Sequence, residues 1–220
     1  MLICGIDEAR RGPVIGPMVL CGVLIEEKDT QKLKQMGVKD SKLLTPKKRE
    51  FLEPRIKKVV HSYKAIIIPP QEIDEALESP ELNLNKLEAI KTAMILNCLK
   101  PGKAIIDCPS TNIKAYLNYL RIYLKDKKLN LKAEHNAERY PVVAAASIIA
   151  KTTADRELKK IQSRIKENIG SGYPSDPITQ EFLKNNHKKY LEIFRKTWAS
   201  YKRVTSPKQS TLPEFKTIQK

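Results

Sequence analysis

Two acidic residues, Asp7 and Glu8, stand together between an apolar run at residues 2–6 and a turn holding Gly12, Pro13, Gly16 and Pro17. A third, Asp107, closes the apolar run 104–106. In open α/β sheets the ligand crevice lies beyond the strand ends, so carboxylates at two such ends can converge. Converging carboxylates repel one another unless a cation neutralises them. Hard oxygen ligands without Cys or clustered His suit Mg²⁺ or Mn²⁺ rather than zinc. A pair of such ions can activate water and stabilise the leaving oxygen in phosphodiester cleavage. The competing reading of the same residues is structural, because strand-end Asp residues commonly cap turns and helices.

The elements that must position these acids read as follows. Residues 2–6 and 17–25 are strands joined by the Gly-Pro turn, which places Asp7 and Glu8 where the chain bends and is exposed. Residues 63–68, ahead of Pro69 and Pro70, give a third strand, residues 104–106 a fourth and 129–133 a weaker fifth. Thr45 as N-cap and Pro46 at the first helical position start a helix over 46–60. Leu84, Leu87, Ile90, Met94 and Cys98 repeat every three to four residues, the mark of an amphipathic helix, and Ile113, Tyr116, Leu117 and Leu120 do the same. The stretch after Pro141 is apolar almost all round and predicts a central, buried helix. Residues 170–177 form a loop by their glycines and prolines, and two helical stretches follow to about residue 204. The fold class is therefore α/β, a mixed sheet flanked by helices, with a core over 1–169, a helical subdomain over 170–204 and a polar tail over 205–220.

Across 220 residues, 41 Lys and Arg against 25 Asp and Glu give a formal charge of +16, a field that draws polyanions. No apolar run approaches the ~20 residues of a membrane span, and the opening residues lack the charged start of a secretory signal. Nucleic acid is thereby favoured over a membrane surface, and a cytoplasmic location is expected. Cys4, Cys21, Cys98 and Cys108 are scattered among apolar neighbours, which predicts buried, reduced thiols. Lys47-Lys48-Arg49, Lys57-Lys58 and His187-Lys188-Lys189 are candidates for a phosphate-contacting face or for ordinary solvated lysines.

Longer words surround the acids. Gly5-Ile6-Asp7-Glu8-Ala9-Arg10-Arg11-Gly12-Pro13 closely resembles the N-terminal signature of ribonuclease HII in its archaeal form. Lys39-Asp40-Ser41-Lys42 resembles that family's second motif, and Ile106-Asp107-Cys108-Pro109-Ser110 its third. Tyr140-Pro141-Val142-Val143, then Ala145-Ala146-Ser147 and Ala150-Lys151, resemble its buried-helix block, and the loop from Gly170 to Pro177 its glycine-tyrosine loop. The matches run in order from residue 1 to about 204.

The resemblance implies a ribonuclease H-like fold with a five-stranded sheet, a monomer, and endonucleolytic cleavage of the RNA strand of RNA–DNA hybrids leaving 5′-phosphates. Single ribonucleotides in duplex DNA are a further implied substrate. It also implies four acidic ligands for Mg²⁺ or Mn²⁺. Asp7, Glu8 and Asp107 occupy three of those positions. The fourth is an Asp in a stretch that here is one residue shorter; aligned from His135 the position falls on Glu138, aligned back from Tyr140 on Ala137, and Glu138 is the choice. Arg10 stands where the first Gly of a ribose-contacting Gly-Arg-Gly element is usual, so it is expected to obstruct that contact or strain the turn. Arg11, Gly12 and Tyr173 match the remainder of the sugar-reading set. Lys39, Ser41, Lys42 and Ser147 carry over as contacts to the nucleic-acid backbone. Gln209, Leu212 and Phe215 resemble the peptide by which archaeal members dock on the DNA sliding clamp. Arg10 and the altered fourth acid motivate one rival reading, a protein that binds nucleic acid and has lost catalysis.

Overall fold

A computed structural model describes residues 1–206. The chain forms one five-stranded sheet: β1 (Leu2–Ala9), β2 (Met18–Glu26), β3 (Ser62–Ile68), β4 (Lys103–Asp107) and β5 (Asn130–Glu134). The spatial order is β3-β2-β1-β4-β5. The first hairpin and the β2–β3 pair are antiparallel; β1–β4 and β4–β5 are parallel. The mixed sheet is thus as expected.

Eight helices accompany it among the described residues: α1 (Thr30–Gln35), α2 (Pro46–Val59), α3 (Pro70–Glu78), α4 (Leu84–Leu99), α5 (Ile113–Tyr123), α6 (Pro141–Ile165), α7 (Pro177–Asn186) and α8 (Ala199–Thr205). The start of α2 follows its sequence signal, since the Thr45 hydroxyl accepts the Lys48 N–H at 3.3 Å. The short helices α1 and α3 were not expected, although α3 opens with Pro70 at its first position. No helix among the described residues is long and apolar enough to cross a membrane.

Alternation along the central strands feeds two cores. Ile3, Val19, Cys21, Val23 and Ile25 face α1, α2 and α6, whereas Cys4, Ile6, Leu20 and Leu24 face α3, α4 and α5. Gly5 lets α6 lie directly on β1, because a Cβ there would sit 2.4 Å from the carbonyl carbon of Val142. A third cluster joins Val14 and Ile15 of the β1–β2 turn to Ile169, Phe182, Ile193, Phe194 and Tyr201. The C-terminal segment therefore packs on the turn itself. The bridge Ile15–Phe194 and the bonds from Gly16 N–H to the Ile193 carbonyl and from Arg195 N–H to the Val14 carbonyl fix the contact.

Three expectations need correction. Strand β1 runs on to Ala9, so Asp7 and Glu8 lie within it, and Asp7 is buried rather than exposed. Met94 and Cys98 point to solvent. Helix α4 buries Leu87 as expected, but with Glu88, Thr92, Ile95, Leu99, Ala89, Ala93 and Leu96, because it is packed between the sheet and α5. Cys4, Cys21 and Cys108 are buried free thiols as predicted. The clamp-type residues Gln209, Leu212 and Phe215 lie outside the described residues.

Candidate functional site

The parallel register of β1 and β4 pairs Ile6 with Ile106, so the next residue of each strand, Asp7 and Asp107, arrives side by side where that pairing ends, in the middle of the sheet. Strand β5 ends one step further across, and the chain turns there through Asn136 in a left-handed conformation (φ 57°) into the short turn Ala137–Arg139. That turn sends the Ala137 N–H to the Asp107 carboxylate (2.9 Å) and carries the Glu138 carboxylate inward. Oxygen atoms of Asp7, Asp107 and Glu138 all lie within 4.8 Å of one another. Of the two alignments left open by the shortened stretch, the geometry favours Glu138: Ala137 offers only its amide.

Glu8 is not in that group. Successive strand residues face opposite sides of a sheet, so while Asp7 faces α6, Glu8 faces α4, where it meets the charge of Glu88 as well as those of Asp7 and Asp107. Burial and these neighbours push its carboxyl well above the usual range. Burial likewise raises Asp7, against a hydrogen bond from Ser147 and with repulsion from Asp107 and Glu138. Asp107 is also raised, by burial first, with the Ala137 amide opposing. Desolvated carboxylates crowded at this spacing are an all-oxygen donor set for a hard divalent cation, whose charge would relieve the repulsion.

Cations ring the cluster. Lys42 reaches Glu138 at 2.9 Å. Lys151 is half-buried on α6, its ammonium pushed down by burial and by the nearby charges of Arg49 and Lys42. Arg49 binds the Ser41 and Leu44 carbonyls and Asp155. Beside Glu138 opens a cleft of about 850 Å³ whose lining includes Lys34, Lys39 and Arg139. Lys39 is thus at an open surface. Ser41 and Ser147 are not: both are buried, their hydroxyls bonded to each other at 2.7 Å beneath Asp7, where they support the carboxylate rather than meet a backbone from outside.

The β1–β2 turn forms the other half of the site. Arg10 has φ 59°, the left-handed conformation that favours glycine, so the expected strain is present. Its side chain does not obstruct. It folds back, donating to the Ile15 carbonyl (3.2 Å) and the Ser171 carbonyl (2.9 Å) and lying over the Tyr173 ring. Gly172 (φ 82°) makes this possible, because a Cβ there would meet the Arg10 guanidinium at 2.5 Å. Arg11 turns away to Glu88 (2.8 Å) and Asn85 (2.8 Å), leaving backbone as its contribution to the turn's outer surface. Tyr173 is exposed and flanks Gly12. His135 pairs its Nδ1 with the Cys108 carbonyl at 3.0 Å and lies close enough to Asp107 for its charge to act on that carboxyl.

The profile describing ribonuclease HII matches residues 4–201. The chain belongs to the ribonuclease HII family. It is 44% identical to the ribonuclease HII of Methanocella arvoryzae over 89% of this chain and 88% of that one. With the Pyrococcus horikoshii ribonuclease HII the identity is 41% over 98% and 99%. The crystal structure of ribonuclease H2 from P. horikoshii superposes with a TM-score of 0.83 at 40% identity, covering 93% of this chain and 97% of that one. A structure of the PCNA:RNase HII complex from Archaeoglobus fulgidus gives 0.80 at 35% identity, covering 97% and 100%. A ribonuclease HIII in complex with Mn²⁺, at 21% identity and 0.79 over 93% and 69%, shares the fold. Family membership makes the chain a hydrolase of ribonuclease H type that depends on a divalent metal.

Sequence reasoning passed over Glu88 and Asn85, which hold Arg11, and over Arg195 and Trp198, which hold the turn from behind. Glu88 was legible only as a charge interrupting the apolar pattern of α4. Trp198, the chain's one tryptophan, was the signal available in the C-terminal segment.

Proposed function

We propose that the chain cleaves the RNA strand of RNA–DNA hybrids, and single ribonucleotides embedded in duplex DNA, leaving 5′-phosphate ends. The observation that carries this reading is the convergence of Asp7, Asp107 and Glu138 next to the Arg10–Gly12 turn. Asp7, Asp107 and Glu138 would hold Mg²⁺ or Mn²⁺, with Glu8 approaching from the opposite face of β1. Two such ions supply an activated water and neutralise charge on the attacking and leaving oxygens.

The protein's own groups do the rest. The Ala137 amide and Ser147 orient Asp107 and Asp7 in their charged forms, and Lys42 holds Glu138 in place. Lys39 and Lys42 offer positive charge to the phosphate backbone, and Ser41 acts through Ser147. The Arg11 and Gly12 amides, with Tyr173 beside them, read the 2′-hydroxyl, the group that distinguishes RNA from DNA. Arg10 contributes by tying the turn to the Tyr173 loop. The tail residues Gln209, Leu212 and Phe215 are proposed to dock on a sliding clamp, a reading supported by the A. fulgidus complex.

The test is an end-labelled hybrid and a duplex with one ribonucleotide, each incubated with Mg²⁺, Mn²⁺ or chelator, beside Asp107→Asn. Metal-dependent cuts lost in Asp107→Asn are expected. Binding of both substrates with no cleavage in either metal would replace this reading by the non-catalytic one.

A further inference from the structure

The Arg195 side chain is the largest among those fully buried, and its three recorded acceptors are all backbone carbonyls. Its Nη2 donates to the Arg10 carbonyl at 2.7 Å, Nη1 to the Arg11 carbonyl at 2.7 Å, and Nε to the Gly16 carbonyl at 3.0 Å. Three residues on, the Trp198 indole donates to the Gly12 carbonyl at 3.0 Å. Asp74 clamps the intervening backbone, accepting the Lys196 and Thr197 N–H groups and the Thr197 hydroxyl. Burying a guanidinium is costly unless its donors are paired, as they are here. The donors, not the volume, are what an arginine adds here.

A trans peptide is planar, with its C=O and N–H pointing in opposite directions. The Arg10 carbonyl shares its plane with the Arg11 N–H, and the Arg11 carbonyl with the Gly12 N–H. By drawing both carbonyls inward, Arg195 turns both amides outward, and neither donates to an acceptor among the described residues. Two adjacent unpartnered N–H groups form a small pocket for an electron-rich oxygen. We infer that Arg195 is a positioning residue: from the C-terminal segment it aims the Arg11 and Gly12 amides at the ribose of the substrate. This rests on the functional reading above and adds to it the group that sets the amides' direction. The rigid fork of the guanidinium spans the carbonyls of Arg10, Arg11 and Gly16 at once, whereas a lysine ammonium is a point donor on a flexible stem.

The experiment compares wild type and Arg195→Lys in kcat and KM on the single-ribonucleotide duplex, and in affinity for an all-DNA duplex of the same sequence, which has no 2′-hydroxyl. Expected is a fall in kcat of about tenfold or more, the scale of a misaligned contact, with KM and DNA affinity within about twofold of wild type. Wild-type kcat in Arg195→Lys overturns the inference, as does an equal loss of kcat and DNA affinity, which would mean a general loosening. If Arg195→Lys does not fold, Thr197→Val loosens the same segment through Asp74. It should lower kcat about threefold with DNA affinity kept, and unchanged kcat overturns the inference. Wild-type protein that cuts neither the RNA–DNA hybrid nor the single-ribonucleotide duplex overturns the functional reading and this inference together; wild-type cleavage with an indifferent Arg195→Lys overturns the inference alone.

Discussion

Glu138 shows how chain length and side-chain length trade against each other. Against the pattern that the sequence resembles, the turn after β5 is one residue shorter and the acid it carries is one methylene longer. If the added reach compensates the missing residue, Glu138→Asp should withdraw the carboxylate from Asp7 and Asp107 and lower kcat by about 10²-fold, the scale associated with a 1 Å misplacement. Inserting one residue after Asn136 in that variant should recover most of the loss. Single-turnover cleavage of the hybrid measures both, and a Glu138→Asp variant as active as wild type would refute the compensation.

The acids at 7 and 107 were readable in advance because each closes an apolar run, and their meeting followed from the strand order. Glu8 was not readable in the same way: only the continuation of β1 to Ala9 fixes it on the face opposite Asp7. Ser41 and Ser147 were legible as motif members, but their burial depends on α6 lying against the 41–44 segment, a contact between residues 106 apart in sequence.

Among the elements, α6 carries most of the burden, since its first turns meet β1 where Asp7 is displayed. Gly5→Ala places a methyl group against the Val142–Val143 backbone, which has no rotamer by which to yield. Overpacking of this kind costs about 1–3 kcal/mol, so the thermal midpoint should fall and, in the folded fraction, cleavage should fall with it as Ser147 moves from Asp7. A melt unchanged from wild type would show that helix and strand are not in contact there. The buried character of α6 was plain from its apolar run. The inner face of α4 was read correctly at Leu84 and Leu87 and misassigned at Met94 and Cys98, because Glu88 and Thr92 share that face: polar residues with partners inside the protein break the periodicity on which such readings depend.

At the scale of the whole molecule, α2 and α6, which cover the same face of the sheet, are tied by ion pairs as well as by packing. Arg156 on α6 binds Glu53 on α2 through both nitrogens (2.6 and 2.9 Å), and Lys57 joins them. Burial alone would raise the Glu53 carboxyl; the hydrogen bonds from Arg156 and Lys57 outweigh it and hold the group at about 2 against an ordinary 4.5. A carboxyl lowered by folding stabilises the native state above its unfolded value and loses that contribution as pH falls through 4.5 towards 2. With Arg156 half-exposed, the contribution is on the order of 1–2 kcal/mol. Urea titrations at pH 7 and pH 3 should therefore show Glu53→Gln destabilised at the first and by about half as much or less at the second. An equal deficit at both would assign the effect to packing.

The grip of Arg195 on Arg10 and Arg11 spans 185 and 184 residues of sequence. A chain emerging from the ribosome has Asp7, Asp107 and Glu138 available well before residue 195 appears. Its acids can thus gather while the turn that would restrict them to ribose is still unsupported. On the inferred role of Arg195, selectivity for ribose comes after the acids in this polypeptide's own synthesis, and it is forfeited if the segment around Trp198 frays.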